Sequence, residues 1–122
     1  MAITQAMCTS FKTELMTATH NFATNGNAFK LALYAEGSGG KSSTTATLGA
    51  ATTAFTTTGE VASSGTYVTG GLALTKVAPT ASGTTAFTDF ADRSFTTATI
   101  TAMGALIYND TNGDKAVAVL DF

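Results

Sequence analysis

Charge is what this sequence most lacks. Asp, Glu, Lys and Arg make up 11% of its 122 residues, under half of the roughly 25% usual in soluble domains. A free monomer needs surface charge to stay dissolved. The deficit therefore predicts a chain whose surface is partly covered by neighbours, as a homo-oligomer or as a part of a larger assembly. The six Lys and Arg residues are scattered singly and the net charge is −2. Without a basic stripe there is no footprint for nucleic acid. One cysteine, Cys8, excludes an internal disulfide and a zinc site built on cysteines. No apolar run approaches the roughly 18 residues of a membrane-spanning helix, so no membrane partner is expected. "MAITQAMCTSF" has no positively charged stretch leading into an apolar run, so it does not read as a secretory signal.

What fills the gap is Thr, Ala, Gly and Ser, around a hydrophobic fraction of 44%. The length fits a single domain over 1–122. Ile3, Met7, Phe11 and Leu15 recur every fourth residue, with Ala18 and Phe22 near the same stripe, so the spacing predicts an N-terminal helix over 3–21. Asn25-Gly26-Asn27 would end it. "AFKLALYAE" (28–36) predicts a first strand, its apolar face carrying Phe29, Leu31 and Leu33. A long Gly/Ser/Thr/Ala loop covers 37–59. Its "GSGGKSS" lacks the glycine spacing of a phosphate loop. From 60 to 122 short antiparallel strands are expected at 66–69, 72–78, 84–91, 94–100, 102–109 and 115–122, with Pro79 stopping the second of them. The fold expected is mainly β, an antiparallel β-sandwich or open barrel with one N-terminal α-helix.

Candidate chemistry is thin. "YNDTNGDKAV" places Asp110, Asn112 and Asp114 in D-x-N-x-D order, which opens like a calcium loop. The sixth position of that loop should be Gly and is Lys115. The twelfth should be Glu and is Asp121, inside a predicted strand. Asn112-Gly113 between two apolar runs reads instead as a hairpin turn, with cation binding by Asp110, Asn112 and Asp114 as the lesser alternative. His20, near the predicted helix end, would face the last carbonyls. Cys8 reads as a small buried hydrophobe. Asp89, Asp92 and Arg93 read as a turn with a local ion pair. No catalytic residue and no cofactor is expected from any of these.

"FKLALY", "TTAFTTTGEVASSGTYVTGG", "DFAD" and "GALIYN" followed by "AVAVLDF" resemble segments of a family of small structural proteins of tailed bacteriophages, met in environmental phage genomes. The likeness spans nearly the whole chain and departs in "AEGSGGKSSTT". It implies a virion component assembled in the bacterial host cytoplasm, partnered by the major capsid protein or by neck and tail proteins. The expected function is capsid decoration, the bridging of shell subunits by a cement protein. The alternatives are a neck, connector or tail ring of the same particle, and a receptor- or glycan-binding module using Tyr34, Tyr67 or Tyr108. Contact residues are expected at Met7 and Phe11 on the helix and at Lys41, Leu48 and Phe55 in the long loop.

Overall fold

The computed structural model describes residues 3–35 and 47–122. The protein is mainly β, with antiparallel sheets and one short helix near the N-terminus, in a sandwich-like arrangement that does not close into a barrel. Chain order is β1 (Ala6–Met7), α1 (Thr9–Met16), β2 (Phe29–Tyr34), β3 (Leu72–Ala73), β4 (Lys76–Ser82), β5 (Thr85–Phe90), β6 (Gly104–Asn109) and β7 (Lys115–Asp121). Five strands form one sheet in the order β1-β7-β6-β2-β3, and β4 and β5 form a separate two-stranded sheet.

The centre is β2, β6 and β7. β6 pairs with β2 from Phe29↔Asn109 to Tyr34↔Gly104, and with β7 from Gly104↔Asp121 to Asn109↔Lys115. Between Ile107 and Tyr108 the partner on β7 jumps from Ala118 to Ala116, a bulge that leaves Val117 as the extra residue. The alternation read in β2 needs correcting. Ala32 and Tyr34 are as buried as Leu33, because the sheet is covered on both faces. Tyr34, Leu106, Tyr108 and Val119 pack on one side with Ile3, Cys8 and Phe11. Leu33, Ala35 and Ala105 pack on the other with Val61, Tyr67, Phe95 and Ile100.

Both outer edges of this sheet are occupied by short pieces of chain. Along β7, Ala6 and Met7 pair with Val119 and Ala118. Cys8 N–H donates to Val117 O at 3.0 Å, Ala116 N–H to Thr53 O at 3.0 Å and Phe55 N–H to Asp114 O at 2.9 Å. Along β2, Leu72 and Ala73 pair with Leu31 and Lys30. Val61 N–H reaches Leu33 O at 3.0 Å and Ala35 N–H reaches Gly59 O at 2.9 Å.

The predicted helix over 3–21 is therefore shortened at both ends. Ile3 bridges Leu48 in parallel and Ala6–Met7 become an edge strand. A sheet edge needs partners for its backbone groups, and that need outweighs a four-residue stripe. Helix α1 starts after Cys8, whose side chain does not cap it. It ends at Thr17, whose hydroxyl donates to Glu14 O at 3.0 Å, and the left-handed Ala18 (φ 60°) turns the chain away.

Two of the six later strands are absent. Thr66 lies in a turn closed by the Ser64↔Tyr67 bridge, and Val68 opens a second turn that Gly71 N–H closes on Val68 O at 2.9 Å. Over 94–100 the chain turns at Thr97 (φ 53°) and is tied to Thr66 by its N–H to Thr96 O at 3.1 Å. The strand expected at 72–78 divides into β3 and the start of β4, and β4 runs on through Pro79. Proline is tolerated there because its outer edge has no strand beside it.

Gly71 holds the junction into β3. Its φ is +88°, and a Cβ there would sit 2.4 Å from Leu31 O. Gly83, at the β4–β5 turn, has φ +60° and nothing within 4 Å. Gly83→Ala should cost only the left-handed strain, about 1 kcal/mol. Gly71→Ala adds a backbone clash and should cost several-fold more in urea denaturation. Equal losses at the two sites would show that the β2–β3 approach is not tight.

Candidate functional site

The C-terminal turn is a building block of the fold. Asn109 is fully buried, and its Oδ1 accepts from the N–H groups of Thr111 and Asn112, each at 3.1 Å. Those two bonds shape the loop 110–114, which closes through left-handed Gly113 (φ 66°) and Asp114 (φ 55°). Asp110 faces Lys30 at 3.5 Å. Asn112 turns inward and donates to Thr19 O at 2.5 Å. Among the described residues, no three His, Cys, Asp or Glu side chains are placed to share an ion.

His20 belongs to the same polar knot and does not face the helix carbonyls. Its side chain is fully buried, with the ring centroid 4.9 Å from that of Phe11. Asn109 Nδ2 lies 3.0 Å from His20 Nδ1. The Asn109 amide is oriented by the two backbone donors on its oxygen, so its Nδ2–H must donate and Nδ1 must accept. The ring proton then sits on Nε2, which donates to Glu14 Oε1 at 2.9 Å. A general base needs an open lone pair within reach of a substrate proton. Both nitrogens of His20 are engaged inside the protein, so the geometry gives it a tying role. Asn27 Oδ1 accepts from Asn109 Nδ2 at 3.0 Å, and its carbonyl accepts from Lys76 Nζ at 2.5 Å. The knot thus joins α1, the 20–27 segment, the β6–β7 turn and the root of β4. Asp89 lies far along the chain on exposed β5, its Oδ1 accepting from Phe90 N–H at 2.7 Å. Among the described residues, neither Asp89 nor Asp92 forms an ion pair with Arg93.

A second buried network lies on the opposite sheet edge. Between β3 and the Gly59–Val61 contact, a side chain takes the place of a strand. Leu33 N–H donates to the Tyr67 hydroxyl at 2.9 Å. That hydroxyl donates to Glu60 Oε2 at 2.7 Å, which also accepts from Gly70 N–H at 2.5 Å. The hydroxyl of Tyr108 donates to Gly70 O, and that of Tyr34 to Thr56 O at 2.6 Å. All three tyrosines are at most 2% exposed. A ring that stacks on a sugar must show a face to solvent, so none of the three is placed for the glycan-binding alternative.

The expected contact residues separate. Met7 is half exposed, Phe11 and Leu48 are spent in the core, and Phe55 is half-buried with its ring 4.7 Å from that of Tyr108. Lys41 lies outside the described residues. Cys8 is buried as expected, and burial, with Glu14 nearby, raises its thiol pKa.

The surface feature that sequence reading missed is the β4–β5 hairpin. Every residue from Val77 to Asp89 is exposed, so the hairpin stands off the body as an arm. Its root is held by Leu74 N–H to Phe29 O at 2.9 Å, by Lys76, and by Phe90 against Phe29 and Phe22 at 5.7 and 6.2 Å. An apolar groove of about 420 Å³ runs beside it, lined by Met7, Phe11, Leu15 and Phe22 from the body and by Pro79, Ala86, Phe87 and Thr88 from the arm. The signal was present. Val77–Thr88, "VAPTASGTTAFT", contains no charged residue.

No protein-family model matches this sequence, and neither a curated protein nor a solved structure matches it. Among the described residues no helix is long and apolar enough to cross a membrane.

Burial, reinforced by the charges of nearby carboxylates, raises the pKa values of Tyr34, Tyr67 and Tyr108 above the ordinary tyrosine value of about 10. The folded state then keeps protons that the unfolded chain releases above about pH 10. This contribution to stability is complete below that pH and is lost as pH rises beyond it. Phenolate absorbance should therefore appear together with loss of far-UV circular dichroism. Phenolates forming near pH 10 in a still-folded protein would contradict the buried network. On the other edge, Asn109→Leu strands two backbone donors and a ring nitrogen. It should destabilise the protein by about 3 kcal/mol or more, and a denaturant midpoint close to wild type would show the knot to be dispensable.

Proposed function

We propose that this chain is a non-enzymatic structural subunit of a tailed-phage particle, acting as a capsid decoration protein that bridges and stabilises the major capsid shell. The observation that carries the reading is the exposed, uncharged β4–β5 arm beside an apolar groove. Uncharged, partly apolar strands standing in water are a liability to a free monomer and an asset to a subunit with neighbours. Two further points support it. The low charge of the whole chain suits a covered surface, and His20 and Glu60 are held in hydrogen bonds inside the protein. The resemblance to phage structural proteins agrees in kind. In mechanism, many weak apolar and main-chain contacts repeated by symmetry would bind through multivalency.

The same arm would serve a neck, connector or tail ring, whose head-to-tail contacts close by rotation. Copy number separates the two placements. Particles of the phage encoding this chain would be purified and the chain quantified against the major capsid protein by mass spectrometry. Decoration predicts a ratio near the number of shell subunits. A handful of copies would move the protein to a ring, and its absence from the particle would overturn the virion reading altogether.

A further inference from the structure

We propose that the outer edge of β5 is a homotypic docking edge. Two copies of this chain would join there by antiparallel β5–β5 pairing about a two-fold axis, making a four-stranded sheet β4-β5-β5-β4.

Each arm strand has one partner, so each has an outer edge with unmatched backbone groups. Proteins guard such edges with proline, bulges and charge. The edge of β4 carries two of these guards. Pro79 lacks an N–H, and the register shifts between Val77 and Thr80, where β4 has an extra residue. The edge of β5 carries neither. Thr85-Ala86-Phe87-Thr88 is regular, has no proline and is uncharged, and Asp89 is the one charge on the strand.

The hairpin geometry shows which groups are offered. Ser82 pairs with Thr85 around Gly83-Thr84, and a two-residue turn makes that flanking pair the bonded one. Ala81↔Ala86 is then a non-bonded pair and Thr80↔Phe87 a bonded one. Ala86 and Thr88 therefore aim their N–H and C=O groups outward. Phe90 N–H is the next in that series, and it is taken by the Asp89 carboxylate at 2.7 Å. Asp89 thus closes the open edge at its root and leaves Ala86 and Thr88 as the free pair.

The β5 edge is self-complementary for a second copy in one register, and charge selects the antiparallel orientation. In antiparallel pairing centred on Phe87, Ala86 lies opposite Thr88 of the other copy, and the two residues exchange both outward bonds. Phe87 meets Phe87 as a close non-bonded pair. Each Asp89 lies opposite Thr85, about 13 Å along the strand from its twin, which is beyond the Debye length of roughly 8–10 Å at ordinary ionic strength. Parallel stacking would set the two Asp89 carboxylates side by side. Adding β5 to a β4 edge would meet Pro79 and the bulge. One open edge per chain means that association stops at two copies and does not continue as a fibre.

The test is light scattering of the intact chain over a dilution series, with two kinds of variant. Wild type should reach twice the monomer mass. Ala86→Pro removes an outward N–H and no hydrogen bond to β4, and should stay at monomer mass with the thermal unfolding of the body retained. Phe87→Cys should form a disulfide-linked dimer on oxidation, and Thr85→Cys should not, because Thr85 faces Asp89 across the axis. The buried Cys8 does not compete. Wild type remaining monomeric throughout would overturn the proposal and leave the edge to a strand of another protein. So would a dimer that survives Ala86→Pro, or equal crosslinking at residues 85 and 87. If Ala86→Pro fails to fold, the crosslinking pair decides alone.

Discussion

Backbone groups on the outer edges of β2 and β7 must be paired or left in water, and most of this fold is the consequence. The β2–β6–β7 ladder is buried on both faces, so an open edge would bring unpaired N–H and C=O groups to the rim of the core. Ala6–Cys8 and several loop segments are spent on that problem. Ala6–Met7 and the 53–55 segment divide the β7 edge between them, and β3 and the Gly59–Val61 stretch divide that of β2. The gap left on β2 is filled by one hydroxyl, that of Tyr67, which is braced by Glu60.

The two polar networks follow from the same need. Each sits where chain reversals bring backbone groups below the surface without a regular ladder to satisfy them. Asn109 organises the β6–β7 turn and orients His20. Glu60 gathers Gly70 N–H and Tyr67. His20 is held by the side chains of Glu14 and Asn109, and Glu60 by the Tyr67 hydroxyl and a backbone N–H. Buried networks of this kind contribute by leaving nothing unsatisfied, since an orphaned buried donor or acceptor costs more than a single bond returns.

The arm is the exception to this economy. The main sheet is sealed on both sides, yet β4 and β5 stand exposed and without charge between residues 77 and 88. Its root is well tied, through Lys76 to the Asn27 carbonyl and through Phe90 to the Phe22/Phe29 stack, whose ring centroids lie 4.5 Å apart. The arm thus projects from a root that side chains hold to the body. In an assembly, such a projection can add strands to a neighbour at little entropic cost, because its own conformation is set beforehand.

The sequence alone determined the mainly β class, the adjacent strands β6 and β7 and the turn between them. β-branched runs and Asn-Gly signals act over a few residues and need no tertiary partner. It also determined that Cys8 would be buried. Only the tertiary structure decided the fate of the N-terminal stripe, because a four-residue period carries no record of a sheet edge that lies more than a hundred residues further along the chain. The same holds for Phe11 and Leu48, which reach the core through contacts distant in sequence, and for the roles of His20 and Tyr67. Periodicity reports which face of an element is apolar. Which backbone edge is left wanting, and which side chain will reach it, depends on how the elements meet.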